Sequence, residues 1–231
     1  MTFAQPLQAA ILIKRYKRFL ADVETEDGRL LTVHCPNSGS MRGCSTPGSE
    51  VMISRSDNLK RKYPHTLEMV KVKTIWVGVN TALTNHIVAE AFARGVIAEI
   101  GTVDHIQREV KTSARTRLDF LLQKGKRKIY VEVKNCTLVE EDVAMFPDAV
   151  TVRGTKHLHE LLSLKQAGFE AAVFFCVQRR DGHTFAAARH IDPEYGDTLS
   201  LVHRHGVLVL AYEAEVTPST IEIVGSLEVA V

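Results

Sequence analysis

Residues Ala171-Ala172-Val173-Phe174-Phe175-Cys176-Val177 form an unbroken apolar run. A short segment that is apolar on both of its alternating faces belongs in the middle of a parallel sheet covered on both sides. That requirement commits the surrounding chain to an α/β arrangement. The flanking pattern supplies the parts. Asn80-Thr81 can cap a helix running to about Arg94, and Gly95 can close it. Strands are expected over 104–111, 118–123 and 128–139. A second helix is expected over 155–167, ended by Gly168, and a third over 192–204. Strands over 207–212 and 221–224 complete the reading.

The chain before Asn80 has a different texture. A long β-rich stretch over 7–23 is followed by a turn at Glu26-Asp27-Gly28 and a strand over 30–35. Turn-rich residues 36–48 precede a strand over 50–54, and 67–79 alternates around Trp76. Four or five short strands with Gly and Pro punctuation fit a small β-barrel of OB or SH3-like type. Charge divides at the same place: residues 1–78 carry 12 Lys+Arg against 7 Asp+Glu, and residues 79–231 carry 17 against 20. The expected organisation is an OB-fold-like, DNA-binding barrel over 1–80 and an α/β domain over 81–231.

Composition excludes several classes. Hydrophobic content of 45% and charged content of 24% in 231 residues rule out a disordered or fibrous chain. No apolar run approaches the ~18–20 residues that span a bilayer. The first residues lack the charged and apolar regions of a signal peptide. Cys35, Cys44, Cys136 and Cys176 are scattered without a CxxC pair, so a zinc site is not expected. These features lead us to expect a soluble cytoplasmic protein with no membrane partner.

The chemistry is concentrated between Arg117 and Cys136. Gly125-Lys126 suits the centre of a type II′ turn, which takes Gly first. That turn pairs Lys124 with Arg127, and counting outward sets Asp119 opposite Glu132. Lys134 joins them on the same face by the strand period of two, while Leu118, Phe120, Leu122, Val131 and Val133 take the other. Two carboxylates about 5 Å apart repel. A divalent cation with hard oxygen ligands relieves that repulsion, and Mg²⁺ commonly uses one or two carboxylates with phosphate and water. Asp…Glu-x-Lys on adjacent strands is therefore a workable site for metal-assisted phosphodiester hydrolysis. The competing reading is a pair of solvated carboxylates partnered by Arg117 and Lys134. Glu-x-Lys also recurs as Glu109-Val110-Lys111, with Asp104 upstream, but without the hairpin that would supply an opposing acid.

Other positions bear on the same chemistry. Glu90 lies near the apolar face of the first helix, as a further metal ligand or an i,i+4 partner of Arg94; Glu109 competes for that ligand role. Arg153, Lys156, His157 and His159 cluster at the start of the second helix, where exposed N–H groups favour phosphate. Lys60-Arg61-Lys62-Tyr63 and Lys14-Arg15-Tyr16-Lys17-Arg18-Phe19 interleave cations with aromatic rings, as surfaces that hold nucleic acid do.

Cys35-Pro36-Asn37-Ser38-Gly39-Ser40-Met41, Gly78-Val79-Asn80-Thr81, Arg117-Leu118-Asp119-Phe120, and Val131-Glu132-Val133-Lys134-Asn135-Cys136-Thr137 together resemble the sugar fermentation stimulation protein A family. Phe146-Pro147-Asp148-Ala149 and Arg153-Gly154-Thr155-Lys156-His157-Leu158 fit the same pattern. The resemblance implies an N-terminal OB fold followed by a PD-(D/E)XK, restriction-endonuclease-like α/β domain. It also implies sequence-nonspecific DNA binding and a regulatory link to maltose and sugar metabolism. Its acidic position falls on Asp119, with Leu118 where the pattern's name has Pro, and its (D/E)XK falls on Glu132-Val133-Lys134. The resulting expectation is a Mg²⁺- or Mn²⁺-dependent nuclease. Asp119, Glu132 and the Val133 carbonyl would hold the metal, with Glu90 as the further acid. Lys134 would orient water and stabilise the transition state. Lys14, Arg15, Arg18, Lys60, Arg61, Lys62, Arg153, Lys156 and His157 would contact DNA, and a homodimer would serve cleavage of both strands. The alternative is a non-catalytic, DNA-binding regulator; a phosphoesterase for small substrates fits the basic barrel less well.

Overall fold

The computed structural model describes residues 1–113 and 116–231. Strands β1 (Gln8–Tyr16), β2 (Leu20–Thr25) and β3 (Leu30–His34) form an antiparallel meander, followed by β4 (Glu50–Arg55) and β5 (His65–Val72). β1 also pairs with β4, and His34 of β3 bridges in parallel to Thr66 of β5. The ladder therefore closes through β1, β2, β3, β5 and β4 into a five-stranded OB barrel, which leaves those strands no free edge. β6 (Ile75–Gly78) extends β5. Alternate residues, Leu12, Val23, Val33, Val51, Ile53 and Leu67 among them, fill the interior.

Two departures from the sequence reading have local causes. The β-rich stretch over 7–23 is two strands, joined by a turn in which Lys17 and Arg18 take φ of 46° and 64°. Such turns usually advertise themselves with Gly or Asn, and this one has neither. The stretch over 67–79 breaks in the same way at Lys73, φ 53°. A register shift between Leu12 and Lys14 then sets Arg15 opposite the buried Ala21, so its guanidinium turns inward.

Beyond the barrel, Asn80 caps a short 3-10 turn (Thr81–Leu83) by accepting from the Ala82 N–H, and α1 (Thr84–Ala93) follows. Gly95, at φ 66°, ends it. β7 (His105–Lys111), β8 (Arg117–Lys124) and β9 (Arg127–Cys136) form an antiparallel meander. β10 (Leu138–Glu140), β11 (Val143–Phe146), α2 (Val152–Gln166) and β12 (Glu170–Val177) come next. β13 (Thr184–Ala187), α3 (Pro193–Arg204), β14 (Leu208–Val216), β15 (Ile221–Ser226) and β16 (Glu228–Ala230) complete the chain.

The main sheet runs β15-β14-β12-β9-β8-β7, with β9, β12 and β14 parallel. β12 sits inside it, as its composition requires. Its Ala172, Phe174 and Cys176 pack with Ile87 and Phe92 of α1, while Ala171, Val173, Phe175 and Val177 pack with Leu158 and Leu161 of α2 and Leu199 of α3. Each large side chain buried this way contributes about 1.5–3 kcal/mol. The expected strand over 128–139 breaks at Thr137, and β10, β11, β13 and β16 make a small second sheet that was not anticipated.

The barrel is fastened to the α/β part at several points. Gly78 N–H donates to the Gln178 carbonyl and the Thr81 hydroxyl donates to the Pro36 carbonyl, while within the barrel the Asn37 amide donates to the Val79 carbonyl. Thr2 bridges to Thr220 beside β15. Among the described residues, no helix is long and apolar enough to cross a membrane.

Candidate functional site

The β8–β9 hairpin has the register that Gly125-Lys126 predicts. Gly125 takes φ 57°, Lys124 pairs with Arg127, and the ladder continues to Phe120 and Val131. There it opens. Asp119 turns its carboxylate onto the freed backbone, accepting from the Val133 N–H at 2.7 Å and from the Asn85 side-chain amide of α1 at 2.7 Å. The opening also turns Leu118 away from the face expected of it: Phe120, Leu122, Val131 and Val133 pack under α1, but Leu118 joins the cluster under α2.

Glu132 is 4% exposed and points toward α2. Its Oε1 accepts from the Lys134 ammonium at 2.6 Å and from His157 Nδ1. Arg153 Nε lies 3.4 Å from the other ring nitrogen. Glu132 Oε2 is buried and has no hydrogen-bond partner among the described residues, and neither does the buried hydroxyl of Tyr195 from α3. The two acids are driven apart. Burial, and then the charge of Glu132, push the Asp119 carboxyl up to about 6 against the Val133 and Asn85 hydrogen bonds. Burial would raise Glu132 too, but His157 and Lys134 outweigh it and hold that carboxyl below the usual glutamate range. Neither acid is the solvated surface group of the competing reading, and Arg117 pairs with Glu109 instead.

The unpartnered Oε2 is a test of fit for a divalent cation. A buried anionic oxygen without a donor costs free energy that a hard cation removes. Among the described residues no three His, Cys, Asp or Glu side chains converge on one point. A cation here would thus rely on Asp119, Glu132, backbone oxygen, water and phosphate, the mixed set that suits Mg²⁺.

Glu90 does not join the pair; its carboxylate is 2.6 Å from the Met1 ammonium and 3.3 Å from His86 on the β15 side of α1. Glu109, φ 54°, interrupts the β7–β8 ladder opposite Asp119 and sends an exposed side chain to Arg117 at 3.7 Å.

The basic residues also separate by role. Arg15 is consumed internally, donating to the carbonyls of Arg18, Asn37, Gly39 and Ser40. His157 is a partner of Glu132 and not an exposed phosphate contact. Arg18 donates to the Ser38 carbonyl and lines a cleft of about 280 Å³ between the barrel and the α/β part, with Lys134 on the opposite wall. Lys14 is exposed beside Asp22 and Tyr16, and Lys62 lies over the Tyr63 ring. Arg61 donates to the Thr66 hydroxyl, while Lys60, Arg153 and Lys156 have exposed side chains.

Asn85 and the far cleft wall, Phe146 to Thr151, were missed. Their placement depends on how α1 and the β11–α2 loop dock, which no local pattern reports. His157 had a usable signal: Gly154, His157, Leu158 and Leu161 share one buried helical stripe.

The family model described as the SfsA N-terminal OB domain matches residues 13–79, and that described as the Sugar fermentation stimulation protein RE domain matches residues 82–220. A sugar fermentation stimulation protein homolog of Desulfotalea psychrophila is 55% identical over 94% of this chain and 92% of its own. One from Geotalea uraniireducens is 50% identical over 97% of each. The solved structure of Pyrococcus furiosus SfsA in complex with Ca²⁺ superposes with a TM-score of 0.90 at 25% identity, covering 100% of this chain and 98% of that one. An OB barrel followed by a restriction-endonuclease-like α/β domain, carried on one chain at this level of identity, places the protein in the sugar fermentation stimulation protein family.

Proposed function

We propose that the protein is a metal-dependent nuclease acting on DNA, with Asp119, Glu132 and Lys134 at its centre. The observation that carries this reading is the buried, partnerless Oε2 of Glu132 beside the raised carboxyl of Asp119. The Ca²⁺ named with the Pyrococcus furiosus relative is a hard cation of the class that such oxygens take. When bound, Mg²⁺ or Mn²⁺ supplies Lewis-acid polarisation of a phosphoryl oxygen and a more acidic water. The chain's own groups do the rest. Asp119 and Glu132 offer the anionic oxygens, with the Val133 carbonyl available between them. His157 fixes the Glu132 carboxylate through Oε1 and leaves Oε2 without a donor. Lys134, held at 2.6 Å from Glu132, brings a cation to where phosphate charge develops and a donor to orient water. Arg18 in the cleft, and Lys14, Lys60, Lys62, Arg153 and Lys156 on the surface, supply contacts to the backbone of the substrate.

The test is cleavage of supercoiled plasmid and of a 5′-labelled single strand, with and without Mg²⁺ or Mn²⁺. Glu132→Ala and Lys134→Ala proteins, prepared identically, control for contaminating nuclease. Metal-dependent cutting by the parent alone establishes the reading. Binding by all three proteins without cutting by any defeats it in favour of a DNA-binding regulator.

A further inference from the structure

Lys134, which is hydrogen-bonded to Glu132, lines a cleft whose walls are locked. On the barrel side, Arg15 gathers four carbonyls of the 37–40 loop and its neighbours, so the loop has a fixed shape. That loop is bonded across the cleft: the Ser40 hydroxyl donates to the Asp148 carbonyl at 2.8 Å, and the Met41 N–H donates to the Asp148 carboxylate at 2.9 Å. Gly39 lies so near that a Cβ there would sit 2.7 Å from either Asp148 carboxylate oxygen. Behind the cleft, the Gly78 N–H on the Gln178 carbonyl and the Thr81 hydroxyl on the Pro36 carbonyl tie the same two parts together. Widening the cleft would break all of these contacts at once.

Within the roughly 280 Å³ that remain, Arg18 and Lys134 supply cations, and the 71%-exposed Val150 forms an apolar lip backed by the half-buried Phe146 and the buried Pro147. Cations for a backbone beside apolar and aromatic surface for a base is the chemistry of single-strand recognition. A duplex presents two backbones across grooves of about 12 and about 6 Å, with its bases already stacked inside. A cleft of about 280 Å³ with fixed walls has no room for a paired segment, whose bases, stacked inside, could not reach the lip.

We infer that the site accepts one unpaired strand, a single nucleotide at a time lying between the barrel and the α/β domain, and that a paired segment must open before it reaches Lys134. This inference rests on the nuclease reading for the chemistry, but not for the binding.

The binding arm uses the full chain in EDTA, with a fluorescein-labelled oligonucleotide read by anisotropy, free and annealed to its complement. The single strand is expected to bind at least about tenfold more tightly, the effect of a single stacking contact. Val150→Trp, which fills the lip, is expected to remove that preference by weakening single-strand binding alone. Equal affinity for the duplex, or unchanged single-strand affinity in Val150→Trp, overturns the inference. Should that variant misfold, photocrosslinking of a halogenated-uracil strand to the parent replaces it. Adducts in Phe146–Thr151 (146–151) or residues 37–39 support the inference, and adducts confined to 60–63 overturn it. The cleavage arm adds Mg²⁺ or Mn²⁺ to both oligonucleotides. Duplex cut as fast as single strand defeats the inference and leaves the nuclease reading intact. Selective single-strand binding without cutting of either form does the reverse.

Discussion

Asp119 and Glu132 come from the two strands of one hairpin yet differ in acidity, because only Glu132 is hydrogen-bonded by a histidine and a lysine. The folded chain holds the Asp119 proton more tightly than an unfolded chain does, with the carboxyl raised from 3.8 to about 6. The associated stability is therefore present below about pH 4 and lost as pH rises through about 6. Asp119→Asn keeps an oxygen for the Val133 N–H and removes the charge. In metal-free protein it is expected to melt at the same temperature as the parent near pH 4, and higher at pH 7.5. The gain is about 2–3 kcal/mol, or roughly 5 °C or more for a chain of this size. Thermal melts of both proteins across that range check it. His157→Phe removes the donor to Glu132 while keeping a ring. It is expected to lower Mn²⁺ affinity about 10–100-fold in calorimetry, with partial recovery in His157→Gln, which restores an N–H. Asp119, Glu132 and Lys134 were legible because a hairpin turn fixes register and register fixes neighbours. His157 was misread as a phosphate ligand because charge near a helix start is visible in sequence, whereas the rotation of that helix over the sheet is not. Arg15 was misread for a related reason: one extra residue in β1 moved it from the outer face to the inner.

At the scale of elements, β12 and the helices around it followed from composition and punctuation, and their ends moved by only a few residues. The missed features are the hairpin turns at Lys17-Arg18 and Lys73, made from residues that do not announce them; the acidic turn at 140–142 was legible. Glu141 and Asp142, between β10 and β11, take φ of 48° and 64°. Such angles cost non-glycine residues free energy that Asn-Gly avoids. The double replacement Glu141→Asn with Asp142→Gly is expected to stabilise the protein by about 1 kcal/mol, a rise of about 2–4 °C in melting temperature. An unchanged or lower value would show that the acidic turn is held by its surroundings. The small sheet it belongs to escaped sequence reading because three- and four-residue strands carry too few alternations to register.

For the whole molecule, two textures and two charge balances foretold a barrel and an α/β part, but not how firmly they are joined. Asn80 at the junction donates to the buried Glu68 carboxylate at 2.7 Å, and Gln178 both receives the Gly78 N–H and reaches Thr84. The barrel and the α/β part are therefore expected to unfold in one transition, with coincident urea curves from Trp76 fluorescence in the barrel and from far-ultraviolet dichroism. Gly78→Ala, whose new Cβ would lie 2.2 Å from Gln178 Oε1, is expected to separate the two curves or shift both to lower urea.

The two edges of the main sheet have a consequence for self-association. At one edge, β7 is interrupted by Glu109 and lined with exposed charge; at the other, Met1 to Phe3 run beside β15 and occupy backbone groups near Thr220. A second copy approaching the main sheet at these places meets a bulge on one edge and backbone groups already engaged on the other. Strand-to-strand polymerisation, the common failure of an open sheet, is thereby hindered where β7 bends and where β15 begins.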